Sequence, residues 1–132
     1  MTTPTRSMIT AAAVLCMATT SPGLAERYFV NDPAACPTNA EEQDQLMDFA
    51  NDGGLILEED GFSSMEYFCS FEPDLQYHWD GYQVTTHVGH CQTPGPVFMP
   101  TLFTFVMTEE APGEIALFDS NEYTTRFYSC TD

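Results

Sequence analysis

After Gly54 the apolar residues of this chain recur at every second position, and turn residues interrupt the alternation at short intervals. A period of two is that of a strand with one buried face, and closely spaced turn signals join such strands as antiparallel neighbours. Six strands are read this way. They are Leu55 to Glu59, Phe62 to Phe71, Tyr82 to His90, Val97 to Thr108, Glu114 to Asp119, and Thr124 to Cys130. In Phe62 to Phe71, Met65, Tyr67, Cys69 and Phe71 fall on one side, with Phe68 the exception; in the next strand Tyr82, Val84, Thr86 and Val88 share a face. The run from Val97 is the most apolar, and Pro100 within it marks an edge or a bulge. Asp60-Gly61, Asp80-Gly81, Thr93-Pro94-Gly95-Pro96, Ala111-Pro112-Gly113 and Ser120-Asn121 are the breaks.

Upstream of the strands the period is helical. Thr38 or Asn39 can cap a helix from Ala40 to Ala50, whose first turn holds Glu41, Glu42 and Asp44 at the positive end of the helix dipole. Leu46, Met47, Phe49 and Ala50 form its apolar stripe, and Asp52-Gly53-Gly54 stops it. The expected fold is therefore mainly β: an N-terminal helix, then about six antiparallel strands in a meander, curled into a small barrel or a sandwich. No internal repeat or linker divides it.

The first 25 residues read differently. Arg6 is their only charge; an apolar run follows from Met8 to Ala18, then Pro22 and the small residues Gly23 and Ala25. This is the order of a cleaved secretory signal, and the run is shorter than the roughly 20 residues a membrane span needs. Residues 1–25 are expected to be removed and residues 26–132 to form one domain, exported to the periplasm or the medium. Cys16 is a poor lipidation site because bulky Leu15 precedes it. No other segment suits a membrane span.

Four cysteines remain after such a cut: Cys36, Cys69, Cys91 and Cys130. An even count in a small exported domain reads as two disulfides. Of the three pairings, Cys36–Cys69 with Cys91–Cys130 is the expectation. No Cys-x-x-Cys spacing suggests a redox pair or a zinc knuckle.

Charge limits the partners. The chain has 20 acidic residues against three arginines and no lysine, a formal net charge of −17. Nucleic acid and anionic membranes are repelled, whereas a basic protein or peptide is attracted. The same acidity also keeps a protein soluble in salt, so the charge alone does not distinguish a binding surface from a solvated one.

Candidate chemistry is sparse. Asp48, Asp52 and Glu59 occupy three ligand positions of an EF-hand-like loop with Gly53 at its turn, but Ala50 and Ile56 fill two others and a strand follows where a helix is required. Calcium at this loop is the alternative reading. Zinc or copper on His78, His87 and His90, with Met65, Met99 or Met107, is an equal alternative: His87 and His90, three apart on a strand, face opposite sides unless Gly89 makes a bulge, and His78 could meet His87 across the Asp80-Gly81 turn. Carboxylate pairs at Glu58-Glu59-Asp60, Glu109-Glu110 and Glu72 with Asp74 sit near turns, as a solvated rim does, and no catalytic serine, zinc-protease or phosphate-loop motif is present. The expectation is a binding protein or an accessory envelope protein that is not an enzyme and needs no cofactor. The best binding candidate is the aromatic segment between Phe71 and Tyr82. There Tyr77, His78 and Trp79 are rimmed by Glu72, Asp74 and Asp80 and are expected at a hairpin tip. In format the chain resembles small exported bacterial domains such as the periplasmic lysozyme inhibitors; no inhibitory loop motif is shared with them, and no residue role is carried over.

Overall fold

A computed structural model describes residues 27–39, 43–95 and 97–130. The expected signal segment with Cys16, the first helical turn at Ala40, Glu41 and Glu42, and Pro96 lie outside the described residues.

Eight antiparallel strands close into a barrel in sequence order: β1 Phe29–Val30, β2 Ile56–Leu57, β3 Gly61–Ser63, β4 Phe68–Glu72, β5 Tyr82–Thr93, β6 Val97–Thr108, β7 Glu114–Phe118 and β8 Thr125–Ser129. Helix α1, Gln43–Asn51, and a 3-10 turn at Pro33–Ala35 fill the connection from β1 to β2. Closure comes from β1 pairing β2 on one side and β8 on the other. Of the two architectures expected, the barrel is the one adopted.

Two strands go beyond the expected six, and each has a local cause. β1 is only two residues long, cut short by Asn31, Asp32 and Pro33, and it places a strand before the helix. The single strand expected from Phe62 to Phe71 is two, β3 and β4, joined by a tight turn closed by the Ser64 N–H donating to the Tyr67 carbonyl at 2.7 Å. Met65 keeps the alternation phase of Cys69 and Phe71 yet is exposed, because it stands in that turn. β6 runs over the expected residues, and β5 continues three residues past His90.

The interior is packed with aromatic rings. Phe29, Phe62, Phe71, Phe103, Phe105 and Phe127 are buried together with Leu57, Leu75, Met107, Ile115 and Leu117. Phe103 meets Phe62 edge to face at 5.7 Å and Phe71 at 5.6 Å, which links the β3, β4 and β6 sides across the barrel. An eight-stranded barrel is just wide enough for inward side chains to fill it. Each buried phenylalanine adds about 1.5–3 kcal/mol over an exposed one.

The disulfides are Cys36–Cys130 and Cys69–Cys91, not the expected pairing. Closure of the barrel is the reason. It sets β1 beside β8, so Cys36 and Cys130, just beyond their ends, come within 5.1 Å between Cα atoms. Cys69 and Cys91 are register partners on β4 and β5. No helix among the described residues is long and apolar enough to cross a membrane.

Candidate interaction surface

The segment from Pro73 to Gly81 holds most of the expected binding residues, and it contains no strand, so the hairpin expected there is a loop. Leu75 anchors it: the side chain is buried and its N–H donates to the Glu59 carbonyl at 2.6 Å. Tyr77 and Trp79 turn toward the core. Tyr77 lies 4.7 Å from Phe29, Trp79 stacks on Tyr77 at 10° between planes, and the Trp79 indole N–H donates to the Glu114 carbonyl at 3.2 Å. These two rings are half-buried and packed on the core cluster. His78, Glu72, Asp74 and Asp80 are exposed. The structure thus brings the acids to the surface and turns the two rings inward.

The Tyr77 hydroxyl is buried without a hydrogen-bond partner among the described residues. Burial above all, with Glu59 and Glu58 nearby, pushes its pKa well above the usual tyrosine range.

The metal candidates are dispersed over separate elements: Asp48 is on α1, Asp52 just past its end and Glu59 in the β2–β3 turn. Among the described residues no three His, Cys, Asp or Glu side chains gather as a metal site requires. His87 is buried, with Nδ1 at 2.5 Å from the Pro73 carbonyl and Nε2 at 2.9 Å from Thr85 Oγ1. It pins the Pro73 segment to β5. His90 is half-buried on the opposite face, 3.3 Å from Ser70 Oγ. Met107 is core, while Met65 and Met99 are exposed.

A larger feature lies on the outer face of the β5–β6 ribbon. The odd-numbered residues His87, Phe103, Phe105 and Met107 point inward; the even-numbered ones point out. Val88 and Leu102 are register partners there, 69% and 57% exposed. Tyr82 and Val84 continue the face along β5, Phe98 along β6, and Phe118 widens it onto β7. An exposed apolar patch of this extent on a soluble domain ordinarily marks an interaction site.

The placement of charge reinforces the point. From Gly81 to Thr108 the chain carries no Asp, Glu, Lys or Arg, although it holds 20 acidic residues in all. The acids border this surface instead. Glu72 is the register partner of Val88, and with Asp60 and Asp74 it lines a groove beside Val88. Glu109 and Glu110 follow the far end of β6, after Thr108, the register partner of Tyr82. On the β7–β8 side Arg126, paired with Glu114, borders the face beside Tyr82 and Phe118, so the arrangement is an apolar centre with acids at its two ends and this ion pair along one flank. The sequence signal for it was the long uncharged run itself, which strand alternation alone would assign to a buried sheet.

No protein-family model matches the chain, and neither a curated protein nor a solved structure matches it.

Proposed function

We propose that the chain is exported, loses residues 1–25, and works as a non-enzymatic binding domain for a basic protein. The observation that carries this reading is the uncharged apolar face of β5 and β6 bordered by Asp60, Glu72 and Asp74. The apolar centre supplies the area to be desolvated, and the bordering acids, in a chain of net charge −17 that becomes more negative when Arg6 leaves with residues 1–25, select and steer a cationic partner. Two disulfides suit an oxidising compartment outside the cytosol. The packed aromatic interior leaves the outside of the barrel as the place where recognition occurs. An inhibitor of a basic wall-degrading enzyme is one concrete form of this function.

The test uses protein purified after export. Its intact mass is expected to show a chain beginning at Glu26. Binding is then measured by calorimetry against lysozyme, as a basic wall-degrading enzyme, and cytochrome c, as an unrelated basic protein, at low and high salt. Binding that weakens with salt and falls about tenfold with Val88→Ser is expected, a loss of the size of one interface anchor. Absence of binding to either protein at low salt, or indifference to Val88→Ser, would overturn the reading.

A further inference from the structure

The β6–β7 ladder of the barrel is much shorter than β6. β7 pairs only with Thr104 to Val106, whereas β5 pairs with β6 along its whole length, from Val97 to Thr108. On the side away from β5, the stretch from Val97 to Phe103 therefore has no strand partner among the described residues. Among the described residues no turn or loop backbone hydrogen bond reaches it either. The burial pattern agrees: Val97 to Pro100 are exposed at four successive positions, so both faces of the ribbon are open where it projects beyond the barrel. The comparable stretch of β5 is different. Its residues Val88 to Gln92 pair with β4, and below them His87 ties the Pro73 segment alongside.

An open strand edge is a template for another strand, and proteins usually blunt it with charges, prolines or bulges. This edge has one such device, Pro100, and carries no charge, while Val97, Phe98, Met99 and Leu102 stand exposed along it. We infer that the edge of β6 from Val97 to Phe103 is where the partner attaches, by adding an extended segment as a further strand. The inference rests on the binding function proposed above. The segment that fits is apolar at alternate positions, to cover Phe98 and Leu102, and carries Lys or Arg at the others. The net charge of −17 favours such a segment and disfavours a second copy of this chain, which would bring the same charge to the contact.

The experiment uses a short peptide of alternating lysine and valine, and the same peptide N-methylated at every residue. Methylation leaves charge and side chains in place but removes the N–H groups of both edges, so neither can pair with β6. Hydrogen exchange is followed at Val97, Phe98, Met99, Thr101, Leu102 and Phe103. The unmethylated peptide is expected to bind about tenfold more tightly than the methylated one and to slow exchange at a subset of these amides. Leu102→Lys should weaken binding by a similar factor, and Val84→Lys, remote from the edge on β5, should weaken it less. Equal binding of both peptides, or protection elsewhere, would overturn the strand addition while leaving a cationic partner in place. Failure of both peptides and of both basic proteins to bind would remove the two readings together. Concentration-dependent protection of the same amides without peptide would make the edge a contact between copies and overturn the inference.

Discussion

Cys69 faces Cys91 across the β4–β5 ladder, and the disulfide between them joins two residues that the strand register already holds together. Cys36–Cys130 instead spans a sequence separation of 94 and ties the connection after β1 to the end of β8. In the chain-entropy account the two bonds restrict the unfolded chain by about 3 kcal/mol for the short loop and about 5 kcal/mol for the long one.

The double variant Cys36→Ala/Cys130→Ala should therefore lose more stability than Cys69→Ala/Cys91→Ala. Denaturant unfolding of the oxidised proteins checks the order. Equal losses, or the reverse order, would show that the β4–β5 bridge contributes more than loop closure alone.

Gly89 on β5 lies directly against the backbone of β4. A Cβ there would sit 1.9 Å from the Ser70 carbonyl oxygen, which is backbone and has no flexible end to move. Gly89→Ala should cost about 3 kcal/mol or prevent folding. Gly95, in the β5–β6 turn, has open space around it but a φ of 92°. Gly95→Ala should cost only about 1 kcal/mol. Thermal unfolding of the pair separates a steric clash between strands from backbone strain in a turn.

Tyr77 presents a phenol whose ring is well packed and whose hydroxyl is buried without a partner. Tyr77→Phe should raise stability by about 1 kcal/mol at neutral pH, because an unsatisfied polar atom is removed without opening a cavity. The pH dependence has a definite sign. Burial holds the folded pKa above the unfolded value, so the protonated form is favoured in the folded state. The corresponding stability is present below the ordinary tyrosine pKa, near 10, and is lost as the pH rises beyond it. Melting temperature against pH in the alkaline range should fall less steeply for Tyr77→Phe. Superimposable alkaline limbs would show that this phenol is not the group responsible.

With 20 acids and three arginines, repulsion opposes folding in dilute buffer. Sodium chloride should raise the melting temperature as it screens the charges. Calcium chloride is compared at matched ionic strength in the wild type and in Asp48→Asn. The two proteins should respond alike, since Asp48, Asp52 and Glu59 sit on separate elements. A calcium-specific rise that Asp48→Asn abolishes would restore the EF-hand-like reading.

How much of this was legible in the sequence depended on the length of each pattern. β6 could be read to the residue because Leu102, Phe103, Phe105, Val106 and Met107 form a long apolar run between clear breaks. β1 could not, because two residues carry no period. The β3–β4 turn was hidden because Ser64, Met65, Glu66 and Tyr67 include no glycine or proline and stay in phase with the strands around them. The disulfide pairing was wrong for a topological reason: nearest-neighbour pairing is natural for an open meander, and closure of the barrel is invisible locally. Of the expected binding residues, Tyr77 and Trp79 were read as a tip because they follow Pro73 and Asp74; burial of Leu75, which depends on distant packing, turns that loop back over the barrel end. The outer apolar face was missed because alternation reports which residues share a side, not whether another layer covers them.

The Cys36–Cys130 bond has a mechanical consequence. Cys36 follows β1 and Cys130 follows β8, so the covalent loop encloses β2 to β8 and leaves β1 outside it; a pull from the N-terminal side meets the short β1 ladder and then a covalent link. Once β1 has been peeled away, tension would pass through the bond and around β2 to β8, which would ride as a closed bead on a string; with that bond reduced, the only covalent loop left among the described residues is the short one between Cys69 and Cys91.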